Sequence, residues 1–554
     1  MALFDVLTHD NLEDCRAILE RHPATANSEG WHGITPLHRA ATRGNIDACK
    51  LLIQYGANVN KVNGFGETPL HYACQAASLR FVNVLVENGA DFNVLDNGGR
   101  SCIHHAARSG SIWKIHYLVA LGLSLTKRDN RGQTVLHIAA EHGHIDLLEY
   151  CLRNQRFQPG EVDNSQLTPL HIAAQHSNRQ CAWILESSSS QSLVNLRDIH
   201  GKTPIDHAAE GVTREHKWLT THLKYWQASR CGGYRPSPWF PWILLLLCPS
   251  LIIYFVIWCL QELEQSTGWL VTVLAIAIFY SWALTAHRMR HISALPSPTF
   301  AGLFFGVIIQ SLICYYTHIV PAIWPELLWT TMSVLLMLAV VTSLINLFSD
   351  PGIVKSPRLK PDGSPYTIID VAEGKVPVEE FCYHCELVAP IFSKHCRLCN
   401  HCVLAIDHHC LFLMCCVGYK NHRAFVVFMS LVLLSQMLFV RAAVTYLLSV
   451  IRTDGSYPSS FKEALGYDVY VSVLLTINVL GFYYVFLLTL YQLKIVSEGA
   501  TTYYSPDGKP KTKIGFNEMC RCGPPPSLTR AQNILRFFLG EYSFYNNKLR
   551  GYDV

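Results

Sequence analysis

The apolar residues of this chain fall into two regimes. Up to about residue 225 they sit in short phrases separated by turn pairs; from residue 242 they merge into runs long enough to cross a bilayer. In the first regime one phrase returns: TPLHRAA at Thr35, TPLHYAC at Thr68, SCIHHAA at Ser101, TVLHIAA at Thr134, TPLHIAA at Thr168 and TPIDHAA at Thr203, in steps of 33, 33, 33, 34 and 35 residues. Each phrase reads as a helix start. Thr begins the helix, Pro is tolerated in its first turn, and the small Ala residues let neighbouring helices stack closely. Turn pairs such as Tyr55-Gly56, Asn88-Gly89 and Leu121-Gly122 close the units. In the second regime six runs, near 242–260, 268–286, 299–320, 326–348, 424–450 and 469–493, approach or exceed the roughly 18–20 residues a spanning helix needs.

A repeat of this length carrying this phrase has the ankyrin period. With the half-unit LTHDNLEDCRAILERHP as an N-terminal cap, residues 1–225 make about seven units of a solenoid, a fold whose general use is to bind extended partners. Trp31 and Tyr72, near hairpin tips, are candidate aromatic contacts; inter-repeat packing is the other reading for each. Residues 226–241, rich in Gly and Pro, form a linker. Spans one to four then occupy 242–348 and spans five and six 424–493, with a segment at 349–423 between them and a tail at 494–554. Trp239, Trp242, Trp258, Trp269 and Trp282 stand at or near run ends, as interfacial aromatics do. Arg288 and Arg290 follow span two, and Lys355, Arg358 and Lys360 follow span four. The loop QELEQS after span one is acidic, and THIVPAIWPE after span three has no Lys or Arg. The basic residues therefore put the even-numbered loops and both chain ends in the cytosol. Arg441 lies inside the fifth run toward its luminal end, where a long side chain can snorkel.

Composition agrees. Half the residues are apolar and 16% are charged, below the roughly 25% of an average soluble chain. A net charge of +4 implies no nucleic-acid surface. The start, MALFDVLTHDNLEDC, has no basic n-region followed by an apolar h-region, so no signal peptide is expected. Of the 20 cysteines, twelve are scattered and read as reduced thiols. The other eight, Cys382, Cys385, Cys396, Cys399, Cys402, Cys410, Cys415 and Cys416, crowd into FCYHCELVAPIFSKHCRLCNHCVLAIDHHCLFLMCCVGYKNHRAF, which starts at Phe381.

The pairs Cys382-x2-Cys385 and Cys396-x2-Cys399, with Cys402 after them, can each clamp an ion, and His395 and His409 add imidazoles. Zinc takes four such S/N ligands in a tetrahedron, and two sites need eight. A purely structural zinc ribbon accounts for most of these residues but leaves His408 and Cys410 over. A nucleophilic Cys must be a thiolate, which a neighbouring base provides. His408 can take the proton of Cys410 and Asp407 can orient the imidazole, as in Ser-His-Asp logic. A thiolate at a membrane surface suits attack on an acyl thioester.

At these residues the chain resembles the DHHC-type protein S-acyltransferases (palmitoyltransferases). With ankyrin repeats ahead and six spans, it is similar to their ankyrin-repeat branch, that of huntingtin-interacting protein 14 and Akr1. Asp350-Pro351-Gly352, Asn421, Phe425, Thr501-Thr502, Asn533 and Phe537-Phe538 fit the same pattern. The resemblance implies an all-α fold class: an ankyrin solenoid plus a six-helix transmembrane bundle with a cytosolic two-zinc cysteine-rich domain. It assigns one structural zinc to Cys382, Cys385, His395 and Cys402, the other to Cys396, Cys399, His409 and Cys416, and catalysis to Asp407, His408 and Cys410. It implies acyl-CoA, usually palmitoyl-CoA, as the donor, and substrate proteins recruited through the repeats. The implied location is a Golgi or other endomembrane. Lys394, Arg397, Lys420 and Arg423 are candidates for the CoA phosphates, with solvated or headgroup-facing charges as the other reading.

Departures stand next to the triad. Leu411-Phe412 occupies the usual Pro-Trp, and Cys415 the usual Asn. Ala389-Pro390-Ile391 lacks the usual base, and Tyr503-Tyr504 replaces Asn-Glu. They keep open a second reading, a zinc-folded adaptor with weak or absent catalysis. A repeat-bearing channel is disfavoured because the loop RTDGSYPSSFKEALGYD between spans five and six holds no apolar re-entrant helix. In the tail, Cys520 and Cys522 are candidate acylation sites.

Overall fold

A computed structural model describes residues 2–8, 11–153, 157–189, 192–231, 249–259, 271, 274, 277–278, 299–323, 327–390, 393–453, 468–498 and 527–539. The chain divides into two compact units. One is Met1–Arg235 with Pro357–Val388, and the other is Pro236–Ser356 with Ala389–Val554.

The first unit is the solenoid. Helix pairs follow the repeat phrase, as in Pro36–Arg43 with Ile46–Gln54 and Pro69–Ala76 with Leu79–Glu87. Every phrase closes a capping box. The N-cap N–H of Thr35, Thr68, Ser101, Thr134 and Thr168 donates to Nδ1 of the histidine three residues on, at 3.1, 3.1, 3.2, 3.2 and 3.1 Å. In the last phrase Asp206 takes the histidine's place, accepting from Thr203 N–H at 2.8 Å. The Thr-x-x-His spacing is that of a capping box, so this use of the histidine was visible in the repeat itself. Because Nδ1 accepts, the proton sits on Nε2; in His38 and His104 it donates to the next repeat's backbone, to the Glu67 carbonyl at 3.0 Å and to that of Lys127 at 3.0 Å.

These rings must stay neutral to do this. Burial drives His71, His137 and His171 down to about 4 and lowers His38 and His104 as well. A buried neutral histidine is stabilising above the unfolded value of about 6.5, and that stability is lost as pH falls toward the folded value, at up to roughly 1.4 kcal/mol per pH unit per ring. The thermal midpoint of the solenoid is therefore expected to hold from pH 8 to 7 and to fall steeply between pH 6.5 and about 4. Calorimetry across that window tests it; a midpoint flat to pH 4.5 would contradict the neutral-cap account.

Trp31 is 83% exposed, in keeping with a contact residue. Tyr72 is half-buried; its hydroxyl accepts from Asn63 Nδ2 at 3.1 Å and its ring meets His38 at 5.5 Å, which is the packing reading.

Residues 357–388 pack on the outer helices of the solenoid, a placement that a division of the chain at 349 does not anticipate. The short helix Ile368–Ala372, capped by Thr367 and Asp370, buries Ile368, Val371 and Ala372 in the solenoid core. Farther along, Phe381 meets the His116 ring at 5.2 Å and Tyr383 meets Trp113 edge-on at 5.5 Å. The Arg153 guanidinium donates to the His384 carbonyl, and through Nη2 to its Nδ1 at 2.9 Å.

In the second unit three helices are long and apolar enough to cross a membrane among the described residues: Ala301–Ala322, His422–Ile451 and Val469–Ser497. Pro249–Cys259 and Leu336–Leu347 are shorter apolar helices that fall within the first and fourth runs. Most of the run 268–286, with Arg288, Arg290, Thr501, Thr502, Cys520 and Cys522, lies outside the described residues. Polar groups inside the helices find one another. Asn478 Nδ2 donates to Ser311 Oγ at 2.8 Å, and the Tyr470 hydroxyl to Gln310 Oε1 at 2.9 Å. An unpaired amide or hydroxyl in hydrocarbon is costly, so such bonds tie helix to helix.

The all-α expectation is corrected in the cysteine-rich segment. The chain is mostly helical, but here it forms three two-stranded antiparallel hairpins. These are β1 (Phe381–Cys382) with β2 (Leu387–Val388), β3 (Ser393–Cys396) with β4 (His401–Leu404), and β5 (His408–Cys410) with β6 (Cys415–Val417). Ligands closely spaced in sequence reach one centre only if the chain folds back sharply, which a hairpin does and a helix does not.

Candidate active site

The turns begin with sequence. In Cys382-x2-Cys385 and Cys396-x2-Cys399 the second cysteine's N–H donates to the first Sγ, at 3.4 Å in both. The next residue, Glu386 or Asn400, is left-handed, with φ of 56° and 60°, so the chain reverses at once. In the β3–β4 pair His395 stands opposite Cys402, with Cys402 Sγ 4.0 Å from His395 Nδ1. In the β5–β6 pair His409 stands opposite Cys416.

Cys396, Cys399, His409 and Cys416 converge. His409 Nδ1 lies 3.6, 3.4 and 3.6 Å from the sulfurs of Cys396, Cys399 and Cys416, and the Cys399 and Cys416 sulfurs are 3.3 Å apart. A zinc tetrahedron with bonds of about 2.3 Å to sulfur and about 2.0 Å to nitrogen has edges of about 3.5–3.8 Å. Three thiolates and an imidazole at this separation fit zinc in both chemistry and size.

This four-residue cluster fixes β5, which carries His408 and Cys410, with Asp407 immediately before it. Asp407 is 1% exposed, and its Oδ2 accepts from His408 Nδ1 at 2.7 Å. Asp407 N–H donates to the Val417 carbonyl at 2.8 Å, closing the hairpin behind it. Burial alone would lower His408, but hydrogen bonds to Asp407 and Cys410 and their charges carry it up to about 9. His408 therefore holds a proton at neutral pH beside the Cys410 sulfur. The departures from the usual pattern now have positions. Leu411 points outward, 42% exposed. Phe412 packs on Phe304 and Tyr484, with ring centroids at 6.3 and 6.0 Å. Cys415 stands opposite Cys410, but burial and then the neighbouring Cys410 and Cys399 push its thiol up to about 12. It stays protonated at neutral pH.

Cys410 is 7% exposed and lines a cavity of about 750 Å³. Phe304, Phe412, Phe425 and Phe428 surround the end near the thiol, and Arg441, Ala442 and Thr445 belong to the other. Phe425 and Arg441 are 16 positions apart on one helix, which at about 1.5 Å per residue is about 24 Å. Arg441 thus lines the far end of the cavity, a role snorkelling alone did not suggest. The walls are mostly apolar, so the cavity suits a long hydrocarbon chain attached at the sulfur.

The loop Asp350-Pro351-Gly352 and Asn421 set the knot against the helices. Asp350 Oδ1 accepts from the Gly352 and Ile353 amides at 2.9 and 2.8 Å, and Oδ2 pairs with Lys420 at 3.2 Å. A Cβ on Gly418 would sit 2.5 Å from the Pro351 carbonyl, so only glycine allows this approach. Asn421 accepts from Gly418 N–H at 2.8 Å and donates to the Leu347 and Cys416 carbonyls, both at 2.9 Å. One buried amide thus joins the end of helix Leu327–Leu347 to the strand that carries Cys416. Of the four candidate cations, Lys420 is engaged with Asp350, Arg423 and Arg397 are exposed, and Lys394 is lowered by burial and by Arg397.

Two families match the chain: DHHC palmitoyltransferase over residues 375–506, and ankyrin repeats in overlapping sets from 3–96 to 103–198. Palmitoyltransferase ZDHHC17 of Danio rerio is 28% identical over 273 residues, covering 45% of this chain and 40% of that protein. Palmitoyltransferase akr1 of Emericella nidulans is 28% identical over 271 residues, covering 45% and 35%. Palmitoyltransferase ZDHHC13 of Homo sapiens is 25% identical over 259 residues, covering 44% and 39%. The chain spans about two fifths of the length of the curated relatives it matches.

Proposed function

We propose that this chain, which carries a DHHC palmitoyltransferase domain behind ankyrin repeats, is a protein S-acyltransferase working through an acyl-Cys410 intermediate. The carrying observation is the buried Cys410 sulfur at the mouth of an apolar cavity, beside a histidine oriented by a buried aspartate. In the first step Sγ of Cys410 attacks the acyl-CoA thioester carbonyl; the carbon–sulfur bond to CoA breaks and CoA leaves as the thiolate. In the second a substrate thiolate attacks the acyl-Cys410 carbonyl and Cys410 is released. His408 holds the proton near the sulfur, and Asp407 fixes the ring. Burial of the chain supplies binding at about 0.8 kcal/mol per CH2.

Two zincs serve as scaffold. One sits on Cys396, Cys399, His409 and Cys416. The other takes Cys382 and Cys385 of the first knuckle with the opposed His395 and Cys402. Zinc here supplies only structure, since four protein ligands leave no open position. Lys394, Arg397, Lys420 and Arg423 would meet the CoA phosphates, and the repeats, with Trp31 exposed, would recruit substrate proteins. Six spans, an endomembrane setting and cytosolic ends complete the reading. It is supported by the apolar helices and the basic loops.

The experiment is incorporation of a clickable palmitate analogue by purified, zinc-loaded protein given the acyl-CoA; no label on wild type would sink the proposal. The cavity makes a further demand. Ala442→Phe adds a ring at the Arg441 end and is expected to shift preference from palmitoyl- toward shorter acyl-CoA in a competition assay. An unchanged preference would mean the chain does not reach that end.

A further inference from the structure

The triad aspartate has a second buried partner. Gln492, on helix Val469–Ser497, donates through Nε2 to Asp407 Oδ2 at 3.0 Å, the oxygen that also takes His408. Its Oε1 lies 3.1 Å from Nε2 of His422, on helix His422–Thr453. Gln492 and His422 are 2% and 5% exposed. The orientation of the amide follows from the chemistry. A carboxylate only accepts, so Gln492 must turn its NH2 to Asp407, and its Oε1 then requires a hydrogen on His422 Nε2. The His422 ring packs edge-on at 5.2 Å against Phe537 of helix Ser527–Leu539.

We propose that Gln492 is a positioning residue for the acyl-transfer triad: it fixes the Asp407 carboxylate so that His408 presents its ring to Cys410. The inference rests on the reading of Asp407, His408 and Cys410 as that triad. The order is His422, Gln492, Asp407, His408, Cys410, and it draws on two apolar helices as well as the hairpin β5–β6. The helices that wall the cavity thereby hold the orienting carboxylate. A shift of either helix would move Asp407, and the geometry of the triad depends on their packing. Gln492 touches neither the thioester nor the sulfur, so its loss should act on the rate of acyl transfer and leave acyl-CoA binding alone.

The test is single-turnover acylation of the full chain in detergent, with palmitoyl-CoA varied, on Gln492→Met and Gln492→Glu. Met keeps the length and removes both hydrogen bonds; Glu keeps the shape and sets a second carboxylate against Asp407. Zinc content and gel-filtration profile matching wild type select the folded variants. Both are expected to slow acylation at saturating palmitoyl-CoA by about ten- to a hundredfold, as loss of an outer-shell partner does, with the half-saturating concentration unchanged. His422→Phe, which frees the amide to rotate, should give a smaller loss, and should add little when combined with Gln492→Met. Wild-type rate in folded Gln492→Met overturns the proposal, as does a loss confined to half-saturation. If only one variant folds, the same criteria apply to it; if neither does, His422→Phe at wild-type rate overturns it. Absence of label on wild type overturns the triad reading, and this proposal with it.

Discussion

Full-length protein carrying Cys410→Ser is expected to lose all hydroxylamine-labile palmitate label, while Cys415→Ser keeps most of it. The two thiols stand opposite each other in one hairpin and differ in surroundings. Cys410 opens into the cavity and has His408 within hydrogen-bonding reach. The Cys415 thiol, pushed up to about 12 by burial and its sulfur neighbours, stays protonated. Asp407→Ala should cost on the order of a thousandfold or more in rate, the scale of losing a triad orienter. Label retained on Cys410→Ser would mean that another cysteine carries the acyl group.

The second large effect concerns the metal. Cys399→Ser is expected to drop zinc content from two to one per chain and to abolish labelling. Cys399 has Sγ contacts with both His409 and Cys416, so it joins the β3 knuckle to the β5–β6 hairpin. A structural zinc supplies apparent binding energy of about 10–16 kcal/mol in finger peptides. On its ligand side the hairpin has only a small core, Cys396, Val403, Ile406 and Cys416 with Cys399, while Cys410, Leu413 and Val417 pack on its other side against Leu347, Phe425 and Phe428. Without the ion, the ligand side of the hairpin loses its anchor, and Asp407 and Cys410 lose the geometry it fixes. Zinc measured by mass spectrometry, with labelling read on the same sample, is the check. Two zincs and full label in Cys399→Ser would remove the ion from this role.

Much of this was legible in the chain. Capping and stacking within each repeat are local, so Thr68, Pro69 and Ala73 announce a helix pair wherever the phrase stands. The Cys396-x2-Cys399 knuckle is local for the same reason, because four consecutive residues bring its two sulfurs together. The worry over Leu411, Phe412 and Cys415 could not be resolved there. Whether Phe412 can wall the cavity depends on Phe304 and Tyr484, 108 and 72 residues away (412 − 304 and 484 − 412). Gln492 was missed entirely, although an amide within an apolar run is a signal of the same kind as Arg441.

By itself the sequence determined the repeat solenoid, the apolar runs, the metal-ligand types and the Asp-His-His-Cys motif, since each rests on residues within a few positions of one another. Only the tertiary structure decided that residues 357–388 belong with the solenoid, that the thiol opens into an apolar cavity, and that Gln492 stands behind the aspartate. Those relations join residues tens to hundreds of positions apart. They are fixed by packing between elements, and hydrophobic pattern and ligand spacing carry no record of that distance.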